Sequence, residues 1–171
     1  MAKDKRKKVG EVAPEFCLPE ADRGKVCLSQ LLGEDKYVLL YFIPTEERKR
    51  CDRSGCPLKE NLDKVAELGV IPVVIDKDPV EEHKRFKHDH GITFYILSDP
   101  TMETIKGYGV YEKVNVHGIE KEKIVPTVFL LDPKGHIVGV WEPKVIEDSI
   151  DDIIKSAISL AIEDLAPDLD C

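Results

Sequence analysis

Residues Tyr37 to Ile43 form an unbroken apolar run, Tyr-Val-Leu-Leu-Tyr-Phe-Ile, with no charge on either alternating set. A strand of this kind cannot turn one face to water, so it belongs inside a sheet covered on both sides. Val70 to Ile75 repeats the pattern. The segments around these two strands have helical spacing. Pro57 to Leu68 places Leu58, Leu62, Val65, Ala66 and Leu68 on a helical stripe that Gly69 closes. Pro79 to His90 reads as a polar amphipathic helix with Val80, His83 and Phe86 on one face. Phe94 to Leu97 is a short strand, and Asp99-Pro100 opens a helix through Lys106 with Pro100 at its first position. Thr127 to Leu131 and Ile137 to Trp141 are strands joined by the turn Asp132-Pro133-Lys134-Gly135. Near the start, Phe16 to Leu18 and Lys25 to Leu28 flank a turn at Asp22-Arg23-Gly24, and Ser29 caps a short helical turn. Asp148 is placed to cap a long C-terminal helix with the stripe Ile150, Ile153, Ile154, Ala157, Ile158 and Ala161. Strands that alternate with helices and finish in a hairpin predict an α/β fold: a mixed central β-sheet flanked by helices, with an N-terminal β-hairpin.

The chain of 171 residues suits one domain, expected over 9–163, with a basic disordered stretch 1–8 and an acidic frayed tail 164–171. Its 42% apolar content supports a core. Charged residues reach 34% while Gln30, Asn61 and Asn115 are the only amides, a pairing that leans toward a hot habitat. A net charge of −8 argues against general affinity for nucleic acid. No apolar stretch follows the basic run Lys3 to Lys8, and none approaches the ~20 residues needed to span a bilayer, so no membrane role and a cytoplasmic location are expected.

Cys51 lies between a buried strand and a helix, where α/β folds place their chemistry. A reactive cysteine needs its thiolate stabilised, by a helix N-terminus or by nearby cations. Five cationic residues, Arg48, Lys49, Arg50, Arg53 and Lys59, lie between positions 48 and 59, opposed by Glu46, Glu47 and Asp52. Flanking Arg50 and Asp52 suit a reactive residue better than a core one. Cys56 follows five residues on; in an unbroken helix the two would stand ~7.5 Å apart along the axis, whereas a disulfide wants α-carbons within about 7 Å. Gly55 and Pro57 favour a segment that unwinds at low cost. The alternative is that Pro57 simply starts the helix with Cys56 buried beneath it.

The chain resembles the peroxiredoxins, most closely their bacterioferritin-comigratory (Q-type) branch, over about Val9 to Ile158. The marks occur in order: Gly10-Glu11-Val12-Ala13-Pro14-Glu15-Phe16, Leu28-Ser29, Tyr41-Phe42-Ile43-Pro44, Cys51 seven residues beyond Pro44, Cys56, Leu97-Ser98-Asp99-Pro100, Tyr108-Gly109-Val110, and Phe129 to Gly135. The resemblance implies a thioredoxin-like fold and a cofactor-free thiol peroxidase. Cys51 would attack the peroxide, Cys56 would resolve the sulfenic acid as an intramolecular disulfide, and a thioredoxin-like protein would reduce it. The chain departs from the family's pattern twice. Arg48 stands where the family has Thr or Ser, followed by Lys49-Arg50 in place of Pro-Gly, and Pro126 stands where it has Arg before the Thr of a late strand. Arg48 or Arg50 would take over the stabilisation of charge on the peroxide. Val125-Pro126-Thr127 looks like the cis-proline strand start of thioredoxins.

Two other functions remain open at this level: a thioredoxin-type thiol–disulfide oxidoreductase, favoured by Pro126 but lacking a Cys-x-x-Cys, and an inactive binding or redox-sensing scaffold. His83, His88 and His90 do not share a helix face and read as part of a solvated helix, and no metal is expected. Cys17 and Cys27 face each other across the first hairpin and read as buried thiols, with a structural disulfide the alternative. Cys171 reads as a free terminal thiol. Monomer and homodimer are both compatible with the sequence.

Overall fold

A computed structural model of the protein describes residues 5–169. Seven strands form one mixed sheet in the order β2-β1-β5-β4-β3-β8-β9, and β6 and β7 form a separate two-stranded sheet. The strands are β1 (Cys17–Glu20), β2 (Gly24–Cys27), β3 (Val38–Phe42), β4 (Ile71–Asp76), β5 (Tyr95–Ser98), β6 (Tyr111–Val116), β7 (Ile119–Ile124), β8 (Thr127–Leu131) and β9 (Ile137–Trp141). The helices are α1 (Leu28–Leu32), α2 (Thr45–Lys49), α3 (Pro57–Glu67), α4 (Val80–His90), α5 (Glu103–Gly107) and α6 (Ile150–Leu169). Strands β3, β4 and β5 run parallel, and β8 lies antiparallel on the other side of β3.

Every residue of β3 is fully buried, as its composition requires. Side chains alternate across a strand, so Val38, Leu40 and Phe42 enter one core, with Phe129 and Tyr108. Leu39, Tyr41 and Ile43 enter the other, with Leu58, Leu62 and Val65 of α3 and Ile150 and Ile153 of α6. The register sets the ends of the sheet: Phe42 lies opposite Ile75 on β4 and Thr127 on β8. Chain leaving the carboxyl ends of β3 and β4 therefore emerges at the same edge as Pro126.

Several local expectations are corrected. Asp99 to Met102 forms a turn, closed by the Met102 amide on the Asp99 carbonyl at 3.0 Å with Pro100 second in it, so α5 starts only at Glu103. The C-terminal helix begins at Ile150 after a 3₁₀ turn over Ile146–Asp148, and the Ser149 carbonyl, one residue past Asp148, accepts from the Ile153 amide. It continues to Leu169 through most of the stretch expected to be a frayed tail. Lys5 to Lys8 are ordered as well: the Lys7 amide donates to the Tyr108 carbonyl at 3.0 Å, and Arg6 pairs with Glu142. This segment crosses so closely over Gly109 (φ +72°) that any Cβ there would collide with the Lys5 backbone. The hairpin β6–β7, which the apolar pattern did not flag, is mostly exposed and turns at His117-Gly118, both with positive φ. That is the two-residue turn whose backbone twist suits a hairpin.

Cys17 and Cys27 are directly opposite in the β1–β2 register and form a disulfide, with α-carbons 4.0 Å apart. The pair is not buried: Cys17 is exposed and Cys27 half-buried, because the outward alternate positions of an edge hairpin face solvent. Cys171 lies outside the described residues. With a sequence separation of 10 between the bridged positions, the chain-entropy relation gives this staple about 2–3 kcal/mol. Replacing both Cys17 and Cys27 by Ser is expected to lower stability by that amount in urea titrations without reductant; with excess dithiothreitol the two proteins should unfold alike.

Candidate active site

The route to the site starts at the end of β3. Pro44 caps α2, and its carbonyl accepts from the Glu47 amide at 3.1 Å. The stretch expected to be irregular thus contains a short helix, and Cys51 follows its C-terminal cap, Arg50. The Cys51 amide donates to the Arg48 carbonyl at 3.0 Å. Cys51 is therefore not in the first turn of a helix. The next helix begins at Pro57, with Cys56 in extended backbone as its cap.

Between the cysteines the chain makes a tight turn. The Asp52 amide donates to the Gly55 carbonyl at 2.9 Å and the Gly55 amide returns a bond to the Asp52 carbonyl at 3.3 Å. The Asp52 carboxylate holds the turn from inside by accepting from the Ser54 amide at 2.8 Å and the Ser54 hydroxyl at 2.5 Å. These Ser54 bonds depress its pKa. Because Asp52 bridges to Gly55, the residues just outside the turn face each other. Cys51 and Cys56 form a disulfide with α-carbons 4.0 Å apart. The spacing of five that defeats a helix is what a hairpin-like turn needs.

Both sulfur residues sit at the edge of the second core, 9% and 6% exposed, with Tyr41 and Leu58 in the same cluster. The flanking charges do not keep Cys51 out of the interior, since Asp52 points into its turn and Arg50 pairs outward. A cleft of 860 Å³ opens over the pair, lined by the 51–56 turn, Lys59, Glu60, Asp89 and His90. The last two, at the end of α4, had no periodic signal tying them to this loop.

The cations that surround Cys51 in sequence are mostly committed elsewhere. Arg48 is 7% exposed; its Nε donates to Asp76 Oδ2 at 2.8 Å and its Nη2 pairs with Asp78 and, at 3.5 Å, with Glu82. Arg50 donates to Glu47 at 2.8 Å and pairs with Glu147. Lys59 pairs with Asp63. Lys49 and Arg53 are exposed and make no ion pair among the described residues. Pro126 is half-buried at the start of β8, and the described residues contain no cis peptide bond, so the thioredoxin-like cis-proline is not present.

His83 was expected to be solvated and is fully buried, its Nε2 2.5 Å from Asp76 Oδ1. The helical stripe with Val80 and Phe86 was the signal for this burial. His88 remains exposed. Among the described residues no group of three or more His, Cys, Asp or Glu is placed to hold a metal ion. Burial raises the pKa of Glu47 against the pull of Arg50. For Asp78 burial also pushes upward, but hydrogen bonds from Thr45 and Arg48 outweigh it and leave the pKa below the ordinary value.

A sheet of this topology, with a cysteine pair on the loop after its parallel strand β3, defines a thiol-redox protein of the thioredoxin-like fold. The sequence profile described as the AhpC/TSA family matches residues 9–140. The chain is 35% identical over 140 residues to a Coxiella burnetii protein whose name places it with peroxiredoxin bcp, covering 82% of this chain and 91% of that one. It is 31% identical over 135 residues to peroxiredoxin Bcp of Escherichia coli K12, covering 79% and 85%. The solved structure of Xanthomonas campestris peroxiredoxin Q superposes with a TM-score of 0.71 at 19% identity, covering 90% of this chain and 99% of that one. The chain belongs to the AhpC/TSA family, in its Bcp-type peroxiredoxin branch.

Arg48→Ala removes the partner of a buried carboxylate and is expected to cost about 3–5 kcal/mol, read by urea denaturation at neutral pH. Asp78 has a folded pKa below its unfolded one, so its contribution is complete above about pH 3.9 and drains as pH falls through the folded value. Stability measured from pH 6 to pH 2 should therefore fall less steeply in Asp78→Asn than in the parent.

Proposed function

We infer that the protein is a thiol-dependent peroxidase that reduces hydrogen peroxide or organic hydroperoxides through Cys51, with Cys56 as resolving residue. The observation that carries the assignment is the Cys51–Cys56 disulfide across the Asp52–Gly55 turn, beside an open cleft at the carboxyl end of β3. The Cys51 thiolate attacks one peroxide oxygen; the O–O bond breaks and the other oxygen leaves as water or an alcohol after taking a proton. Cys51 becomes a sulfenic acid. The Cys56 thiolate then attacks the Cys51 sulfur, expels hydroxide, which is protonated to water, and closes the bridge. Two electrons from a thioredoxin-like dithiol reopen it by exchange. No cofactor enters this cycle.

Arg48 and Arg50 act as supporting residues through the loop they hold. Arg48 ties α2 to the end of β4, and Arg50 ties the same helix to Glu147. Pro44 sets the direction in which the chain leaves β3, and Pro126 the start of the strand beside it. Lys49 and Arg53, which make no ion pair among the described residues, supply long-range positive charge to the Cys51 thiolate. No described helix is long and apolar enough to cross a membrane. A reducing cytoplasm, where a thioredoxin-like partner regenerates the thiols, and a monomer or homodimer complete the proposal.

Mass spectrometry after one equivalent of peroxide on the reduced protein should find a Cys51–Cys56 bridge. Cys51→Ser should lose peroxide consumption, whereas Cys56→Ser should complete one turnover and accumulate the Cys51 sulfenic acid. Oxidation spread evenly over the five cysteines would overturn the assignment.

A further inference from the structure

The first hairpin carries a second disulfide that the peroxidase cycle does not use. Cys17–Cys27 joins the two outermost strands on that side of the sheet, β1 and β2. Its two residues differ in exposure: Cys17 is exposed and Cys27 half-buried, whereas Cys51 and Cys56 are both buried. A cleft of 440 Å³ opens beside it, with Cys17, Pro14 and Tyr108 in its wall. That volume lies within the range of small-molecule sites. The wall also carries Glu15, Asp99 and Glu103 and no basic residue.

We propose that Cys17–Cys27 is a second thiol–disulfide exchange site, opened at Cys17 by small thiols that carry no negative charge and independent of Cys51–Cys56. This goes beyond the peroxidase assignment and does not rest on it. A thiolate entering by the cleft attacks Cys17 Sγ. A mixed disulfide forms at Cys17 as the bond to Cys27 breaks, and Cys27 leaves as thiolate. A second thiolate attacks the small-molecule sulfur of the mixed disulfide, releasing the small disulfide and the Cys17 thiolate. Two small thiols are oxidised and one protein disulfide is reduced; the corresponding small disulfide drives the reverse reaction. Attack depends on which sulfur can be reached as well as on thiol chemistry, and Cys17 is the more exposed of the two residues and the one in the cleft wall. The acidic wall disfavours anionic thiols by like-charge repulsion.

Opening this bridge leaves the hairpin in place. The ladder between β1 and β5 has the single register pair Glu20–Leu97. The buried Glu20 carboxylate, however, accepts from Lys87 Nζ at 2.8 Å and from the Ile96 amide at 2.9 Å. Phe16, Val26 and Leu28 remain anchored in the core. The site is thus able to cycle without unfolding the domain.

The test exposes the oxidised protein to cysteamine or to mercaptoacetate at matched thiolate concentration and low salt, then alkylates and maps every cysteine by mass spectrometry. The expected result is a cysteamine adduct on Cys17 with alkylated Cys27, formed about tenfold faster than with mercaptoacetate, a gap that narrows with added salt. The same rate is expected in a Cys51→Ser, Cys56→Ser protein, which separates this site from the peroxidase assignment. An adduct on Cys27, equal rates for the two thiols, a Cys17–Cys27 bridge that opens no faster than Cys51–Cys56, or loss of the reaction in the double variant would each overturn the proposal.

Discussion

Asp76 ends β4 fully buried, with Arg48 on one carboxylate oxygen and His83 on the other. The position of the Cys51 loop depends on this junction. Arg48 comes from the helix that follows β3 and His83 from the helix that follows β4, so one carboxylate ties both crossovers to the sheet. Removing three ionisable groups from water is costly, and such clusters persist only where their partners are in place. Here Asp78 and Glu82 add to the Arg48 side and Thr45 donates to Asp78. The result is a loop anchored three residues before Cys51.

That anchor has a chemical consequence. A guanidinium facing three carboxylates offers little net positive charge to a sulfur nearby, and Arg50, held by Glu47 and Glu147, is in the same position. The electrostatic help suggested by a run of basic residues is thus largely spent within the protein. What remains is carried by Lys49 and Arg53, in solvent, where salt screens charges beyond about 10 Å. In the disulfide form Cys51 is also away from a helix N-terminus, and the helical amides lie next to Cys56 instead.

The two disulfides show how one covalent bond serves different ends according to its surroundings. Cys51–Cys56 closes a four-residue turn, with both cysteines buried among the side chains of the second core. Cys17–Cys27 closes a hairpin at the sheet's edge, where β1 and β2 are held independently by core side chains and by Glu20. The first joins the two ends of a loop; the second joins two strands that core side chains and Glu20 also hold.

Apolar periodicity determined which segments became the central strands and main helices, because a doubly buried strand and an amphipathic helix leave period-specific marks in any sequence. It also placed Cys51 on the loop after β3, and the ordered family marks supplied its chemistry. Shorter elements leave no such periodic mark: helix α2 and the late start of α5 follow from single local turn bonds, Glu47 amide to Pro44 carbonyl and Met102 amide to Asp99 carbonyl, and the ordering of Lys5 to Lys8 over Gly109 depends on contacts between distant residues. The fate of the buried cations was decided by tertiary structure: Arg48 finds Asp76 across 28 residues and Lys87 finds Glu20 across 67, separations at which sequence carries no pairing signal. Whether Cys17 and Cys27 lay inside or outside was settled the same way, because a side chain's face follows from strand register, and only the assembled sheet fixes the register.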